Sequence, residues 1–157
     1  MRYLCVDLGD KRTGLALGDD VTRLVSPLPT IEVPISIADG TALLEALARA
    51  VEEQVGVARA EATKTPAQHA TLIFGLPLNM DGTENPRTRI VRAFATRLGG
   101  RVGLEVKFQD ERLTTVDADW QMARSGLTRG EKKQKRDALA AATILRDFLG
   151  GDAKPEE

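Results

Sequence analysis

Four acidic residues stand at positions where a buried carboxylate would need a partner. Asp7 comes at the end of the apolar run 2–8, and Asp110 and Glu111 directly follow a predicted strand. Asp137 shares a helical stripe with the apolar residues four, eight and eleven positions further on. Burying a lone carboxylate costs several kcal/mol unless it is paired, hydrogen-bonded or bound to a metal ion.

Each acid also has a purely structural interpretation, which the sequence leaves open. Asp7 could turn into solvent at the end of its strand, and Asp110 and Glu111 could belong to an ordinary charged loop. Asp137 could lie half exposed in a first helical turn, where the helix dipole favours an acid. Strand alternation puts Asp110 on the face of Phe108 and Glu111 on the other face, but the strand could end before either residue.

Other metal ligands are scarce. The chain has one cysteine, Cys5, and one histidine, His69. These counts exclude an internal disulfide, a thiolate metal cluster and a site built from several histidines. A metal ion would therefore need oxygen ligands, which indicates Mg²⁺ or Mn²⁺. Carboxylates that hold one or two such ions suit phosphodiester hydrolysis, in which the ions stabilise the attacking and leaving oxygens.

Two groups of cations could contact phosphates. Lys11 and Arg12 lie in a short turn between Gly9 and Gly14, where glycines would let the backbone approach a phosphate. The run 129–136 contains Arg129, Lys132, Lys133, Lys135 and Arg136 with a single acid. Because cations oppose the dipole at a helix N-terminus, we expect this run to form a flexible phosphate-contacting loop. An ordinary turn and a solvated charge run are the alternatives.

The overall charge does not itself favour nucleic acid. The net charge is −1, so binding would have to come from a local patch. The long turn over 75–82, which includes Asn79, is a further place where substrate could be held.

Hydrophobic periodicity and turn signals predict nine elements. The predicted strands cover 2–8, 13–18, part of 21–33, 71–75 and 102–108. The predicted helices cover 41–55, 86–98, 114–124 and 137–149, and an exposed loop is expected over 58–70. In the second helix, Asn85 is the expected N-cap, Ile90, Phe94 and Leu98 are expected to face inward, and Gly99-Gly100 is the expected end.

This order of elements predicts an α/β domain with a mixed sheet. The tight turn at 10–12 implies an antiparallel hairpin, and Pro27 and Pro29 place the third strand at an edge. The parallel strands share their carboxyl edge, where ligands gather, so Asp7 and the acids after the last strand would lie there together. We expect one domain over 1–151 and a loose tail over 152–157.

The sequence predicts a cytoplasmic protein. No apolar run approaches the ~20 residues that a membrane span needs. The first ten residues lack the pattern of a signal peptide.

Four segments resemble motifs of the YqgF/RuvX family, and they occur in the family's order over nearly the whole chain. They are VDLGDKRTGLALGD at 6–19, GLPLNMDGT at 75–83, DERLTT at 110–115, and KRDALAA at 135–141 followed by Ile144-Leu145. The resemblance implies a ribonuclease-H-like fold related to the RuvC resolvases, with a five-stranded mixed sheet. Three strands would be antiparallel and two parallel, with helices on both faces. The loop 58–70 looks longer than the family's usual link.

The resemblance also implies an activity. It is that of a nuclease that matures the 5′ end of pre-16S ribosomal RNA, and cleavage of Holliday junctions is the other activity linked to the family. Asp7, Glu111 and Asp137 would be the catalytic metal-binding acids, with Asp110 as the alternative to Glu111. Phosphate contacts would come from Lys11, Arg12, Arg112 and the stretch 133–136. RuvC-like resolvases act as dimers, so a homodimer is one expected arrangement.

Two other functions fit parts of the sequence. A non-catalytic RNA-binding factor for ribosome assembly could use the same fold, since fold does not determine function. A phosphotransferase of the actin-like ATPase type also begins with an Asp-x-Gly segment. Such enzymes need two domains of this kind around the nucleotide, and this chain is long enough for one.

Overall fold

The structure, a computed structural model, describes residues 1–55, 67–112 and 129–150, with 67–69 and 129–135 described by their backbone alone. The strands are β1 (Arg2–Asp7), β2 (Thr13–Asp19), β3 (Val25–Ile31), β4 (Ala67–Leu76) and β5 (Leu104–Asp110). The helices are α1 (Thr41–Val55), α2 (Pro86–Val102) and α3 (Arg129–Gly150), with a short 3-10 turn over Ile37–Gly40 before α1.

The strands form one mixed sheet in the order β3-β2-β1-β4-β5. β1 pairs antiparallel with β2, and β2 with β3, while β4 pairs in parallel with both β1 and β5. The predicted hairpin and the predicted edge position of the third strand are therefore confirmed. The carboxyl ends of β1, β4 and β5 meet at one edge of the sheet, so the acids that end or follow these strands lie at that edge.

Helices cover both faces of the sheet. A large core joins α1 and α2 to one face, and a smaller core joins α3 to the other. In β1, Leu4 and Val6 belong to the large core and Cys5 to the small one. The same alternation puts Asp7 on the α3 face. The helical residues of the large core are Leu43, Leu44, Leu47, Ala48, Val51, Val55, Val91, Phe94, Ala95, Leu98 and Val102.

The start of α2 agrees with the prediction. The Asn85 side chain accepts a hydrogen bond from the Thr88 N–H, and the Thr88 side chain accepts one from the Asn85 N–H. Pro86 occupies the first helical position. Asn85 and Thr88 also both donate to the carbonyl oxygen of Pro77, at 3.0 and 2.7 Å. This reciprocal cap holds the start of α2 against the loop that follows β4.

The predicted end of α2 is wrong. The helix continues through Gly99 and Gly100 to Val102 and ends at Gly103, whose φ of 72° is left-handed. Gly99 serves close packing instead, because a Cβ there would lie 2.6 Å from a methyl group of Val106 on β5.

The predicted inward face of α2 is wrong at one position. Ile90 is 47% exposed, and the neighbouring Val91 is buried in its place. Phe94 and Leu98 face inward as predicted. The stripe therefore runs through Val91, Phe94 and Leu98, and both stripes fit helical spacing.

Other boundaries also differ from the prediction. α3 begins at Arg129, so the basic run 129–136 is helical and not a loop. Lysine, arginine, glutamine and glutamate are good helix formers, and that preference outweighs the dipole penalty here. β4 begins at Ala67, within the predicted loop 58–70. The predicted helix 114–124 and tail 152–157 lie outside the described residues.

Within the described ranges, no helix is both long and apolar enough to cross a bilayer.

The two adjacent glycines of α2 give a matched test of this packing. Gly99→Ala should lower the free energy of unfolding by about 1–3 kcal/mol, because its methyl group would overpack the contact with β5. Gly100 has no neighbouring atom within 4 Å of an added Cβ. Gly100→Ala should therefore raise the free energy of unfolding by up to about 1 kcal/mol through helix propensity. Urea denaturation measures both, and equal effects of the two substitutions would contradict the packing described.

Candidate active site

Asp7 lies at the point where three elements meet. It ends β1 half-buried, opposite Gly14 on β2 in the sheet register. A Cβ at Gly14 would lie only 2.0 Å from the carbonyl oxygen of Asp137 on α3. The lack of a side chain at Gly14 thus allows α3 to approach the hairpin closely. This approach brings the Asp137 backbone beside the strand pair that carries Asp7.

Glu111 reaches Asp7 across the end of β4. Its N–H donates to the carbonyl oxygen of Leu76 at 3.3 Å. Its carboxylate lies over Gly75, where an added Cβ would be 2.6 Å from Oε2. The Glu111 carboxyl group hydrogen-bonds the Asp7 carboxyl group. Gly75 therefore leaves the space through which the two acids meet.

The two carboxyl groups strongly affect each other's ionisation. Burial raises the pKa of Asp7 to about 6, the hydrogen bond from Glu111 opposes that rise, and the charge of Asp137 adds to it. Burial, followed by the charge of Asp7, raises the pKa of Glu111 to about 8. Two carboxylates this close cannot both ionise freely. At neutral pH the pair therefore retains a proton.

Asp137 is near this pair but forms an ion pair with Arg12. The Nε of Arg12 donates to its Oδ2 at 3.0 Å, and both side chains are about one-third exposed. Among the residues that the structure describes, no three histidine, cysteine or acidic side chains group closely enough to hold a metal ion. Two of the three predicted acids, Asp7 and Glu111, thus lie together, and the third, Asp137, is ion-paired with Arg12.

Asp110, the alternative second acid, is oriented toward Arg112. It accepts hydrogen bonds from the Arg112 N–H at 2.9 Å and from Nε at 2.7 Å. Burial alone would raise the pKa of Asp110, but these bonds hold it below its usual value. Arg112 also donates to the carbonyl oxygen of Met80 at 3.0 Å and so fastens the loop after β4. The structure therefore brings Glu111, and not Asp110, to Asp7.

Asn79 is part of the framework of the same loop. Its amide donates to the Thr83 hydroxyl, and its oxygen accepts from the Asn85 amide, both at 3.0 Å. A role in shaping the loop accounts for both contacts.

The remaining predicted phosphate contacts fall at two places. Lys11 is exposed beside the half-buried Arg12, in the turn after Asp7. Arg136 is exposed on α3, one residue before Asp137. The side chains of Lys132, Lys133 and Lys135 lie outside the described residues.

Arg87 is a site residue that the sequence analysis missed. Its Nη1 donates to Asp10 Oδ1 at 2.5 Å and its Nη2 to the Leu8 carbonyl oxygen at 2.7 Å. Its positive charge lowers the pKa of both Asp7 and Glu111, against the larger effect of burial. One signal was available, since a cation in the first turn of a helix opposes the dipole and needs another reason to be there.

Solved structures of similar fold define the fold class of this protein. T. thermophilus RuvC in complex with a Holliday junction substrate aligns with a TM-score of 0.53 at 15% identity, over 99% of both chains. The Fowlpox virus resolvase in complex with Holliday junction DNA aligns with a TM-score of 0.54 at 12% identity, over 98% of this chain and all of the other. The protein therefore has the ribonuclease-H-like fold of the RuvC resolvases, as expected.

Sequence relatives define the family within that class. The profile of the family described as RuvX, Holliday junction resolvase, matches residues 1–151. A protein of an Anaeromyxobacter species named "Putative pre-16S rRNA nuclease" is 40% identical over 152 residues, covering 96% of this chain and 98% of the relative. An Escherichia coli protein of the same name is 39% identical over 146 residues, covering 93% and 94%. The chain belongs to the RuvX family, and the predicted resemblance is confirmed.

The acid pair predicts a pH-dependent loss of stability. The pKa of Glu111 is an ordinary 4.5 in the unfolded chain and about 8 in the folded protein. Between these pH values the folded state therefore binds more protons than the unfolded state. The free energy of unfolding therefore falls as pH rises across this window. Glu111→Gln removes the effect and should stabilise the EDTA-treated protein at pH 9 by about 1–2 kcal/mol. Each unit of pKa shift is worth at most ~1.4 kcal/mol, and solvent reduces it.

Glu105→Gln is the matched control, because Glu105 is an exposed acid on β5. It should leave the pH dependence of unfolding unchanged. Thermal unfolding of the three proteins at pH 5 and pH 9 makes the comparison. If Glu111→Gln gained no more stability at pH 9 than at pH 5, the proton-sharing pair would be wrong.

Proposed function

We propose that this protein is a divalent-metal-dependent nuclease that hydrolyses phosphodiester bonds. The observation that carries the proposal is the converging pair of Asp7 and Glu111, two half-buried carboxyl groups that hold a proton between them. A divalent cation with oxygen ligands would relieve the same repulsion as that proton. The donor set of carboxylate oxygens fits Mg²⁺ or Mn²⁺.

The residues would act as follows. Asp7 and Glu111 would lose their shared proton and turn their oxygens to the cation, and Asp137 would join them after leaving Arg12. Arg12 would then be available to a substrate phosphate. When bound, the cation lowers the pKa of a coordinated water and offsets charge on the phosphate. Lys11, Arg12, Arg112 and Asn79, with Lys132, Lys133, Lys135 and Arg136, are the proposed nucleic-acid-binding residues.

The family relatives indicate the substrate. Two proteins about 40% identical over nearly their whole length carry the name of a pre-16S rRNA nuclease. We therefore propose precursor 16S ribosomal RNA as the substrate, a cytoplasmic location, and a nuclease domain over residues 1–151.

A four-way DNA junction is the second candidate substrate. It is favoured by the family description and by the fold shared with two resolvases solved with junction DNA. Symmetric cutting of a junction requires two active sites, so this activity would need two copies of the chain. The two substrates are separated by assaying both.

Asp7→Asn tests the mechanism. It should reduce the cleavage rate roughly 10³-fold, since metal ions supply several kcal/mol and each 1.36 kcal/mol is a factor of ten. A pre-16S RNA fragment and a four-way DNA junction, each with Mn²⁺ or Mg²⁺, are the substrates. Asp20→Asn is the control and should cleave like the wild type, because Asp20 follows β2 and lies beside the opposite end of β1.

Wild-type cleavage that survives Asp7→Asn would contradict this mechanism. Binding of RNA without cleavage by the wild type would instead favour the non-catalytic assembly factor.

Arg12→Ala tests the proposed exchange of Asp137 between Arg12 and the cation. The variant should bind Mn²⁺ up to ~5-fold more tightly, because an ion pair this exposed to solvent is worth at most about 1 kcal/mol. It should also bind nucleic acid more weakly, with the salt slope reduced by about one. Lys11→Ala is the control, which should weaken nucleic-acid binding alone. Unchanged Mn²⁺ affinity in Arg12→Ala, measured by calorimetry, would rule out the exchange.

A further inference from the structure

Arg87 connects α2 to the turn that follows Asp7. Its two hydrogen bonds reach Asp10 Oδ1 and the Leu8 carbonyl oxygen, at 2.5 and 2.7 Å. The partners are 77 and 79 residues away in the sequence. The bonds therefore fix the position of this turn relative to a distant helix.

The backbone on which Arg87 stands is held by the N-terminal cap of α2. Arg87 follows Pro86 in the first turn of α2, directly after the Asn85 cap. Asn85 and Thr88 both bind the Pro77 carbonyl oxygen, at the end of β4. The cap therefore holds the backbone that carries Arg87, and the guanidinium is held at its other end by Asp10 and the Leu8 carbonyl oxygen.

The turn is held from its other side as well. Arg12 binds Asp137 on α3, and the N–H of Ile35 donates to the carbonyl oxygen of Asp10 at 3.0 Å. α2 and α3 lie on opposite faces of the sheet. The turn after Asp7 is thus hydrogen-bonded to the helices on both faces of the sheet, and Arg87 makes these bonds on the α2 side.

We infer that Arg87 is a positioning residue for the acid pair Asp7–Glu111, because it fixes the turn after Asp7. This inference rests on the proposed metal-dependent function. It goes beyond that function because Arg87 lies outside all four family-like motifs and needs no contact with substrate to act. Lysine can restore part of this hydrogen bonding with its single ammonium group, whereas methionine can restore none.

The test compares Arg87→Met with Arg87→Lys and with Arg89→Met. Arg89 is exposed on the same helix two residues away, so Arg89→Met removes an equal charge without touching the turn. Mn²⁺ affinity is measured by calorimetry without nucleic acid, and kcat and KM are measured on the substrate that the wild type cleaves. Loss of an outer-shell partner typically costs 10–100-fold in metal affinity or activity.

Arg87→Met should weaken Mn²⁺ binding about 10–100-fold and lower kcat with little change in KM. Arg87→Lys should recover part of both losses, and Arg89→Met should match the wild type. If Arg87 were merely structural, Arg87→Met would have a lower melting temperature but unchanged Mn²⁺ affinity and kcat. That result would overturn the inference and leave the nuclease proposal standing. If the wild type itself neither bound Mn²⁺ nor cleaved, the proposed function and this inference would both be wrong.

Discussion

Two carboxyl groups within hydrogen-bonding distance are expensive to place together, and much of the structure around them serves that placement. Asp7 comes from the end of β1, and Glu111 from the residue after β5, with β4 between the two strands. The carboxylate of Glu111 can cross β4 only because residue 75 has no side chain. The cost of this convergence appears as the raised pKa values of both acids.

Arginines distribute positive charge around these acids. Arg12 binds Asp137, Arg112 binds Asp110, and Arg87 binds Asp10. Arg12 and Arg87 tie α3 and α2 to the turn after β1, and Arg112 ties the loop after β4 through the carbonyl oxygen of Met80. This local pattern explains how a chain with a net charge of −1 can still present cations beside its acidic site. Each arginine would also be available to phosphate once its carboxylate partner turned elsewhere.

The sequence predicted those features that depend on local chemistry. An acid that ends an apolar run identified Asp7, and an asparagine before a proline identified the start of α2. Both prolines of β3 indicated an edge strand, which the topology confirms. Alternation along β5 also predicted opposite faces for Asp110 and Glu111, although it could not show where the strand ends, which is at Asp110.

The features that could not be predicted from the sequence depend on contacts between distant segments. Ile90 and Val91 are equally apolar, and only the way α2 rests on the sheet decides which one is buried. Gly99 looked like a helix stop but provides space for Val106. Arg87 has partners more than seventy residues away, which no local pattern identifies.

The proton that Asp7 and Glu111 share should be displaced when a divalent cation binds. Calorimetric titration with Mn²⁺ at pH 7, in two buffers of different ionisation enthalpy, measures the protons released on binding. Metal binding to protonated ligands must release protons, so about one proton should be released per ion bound. Binding that released no proton, or no binding at all, would contradict this expectation.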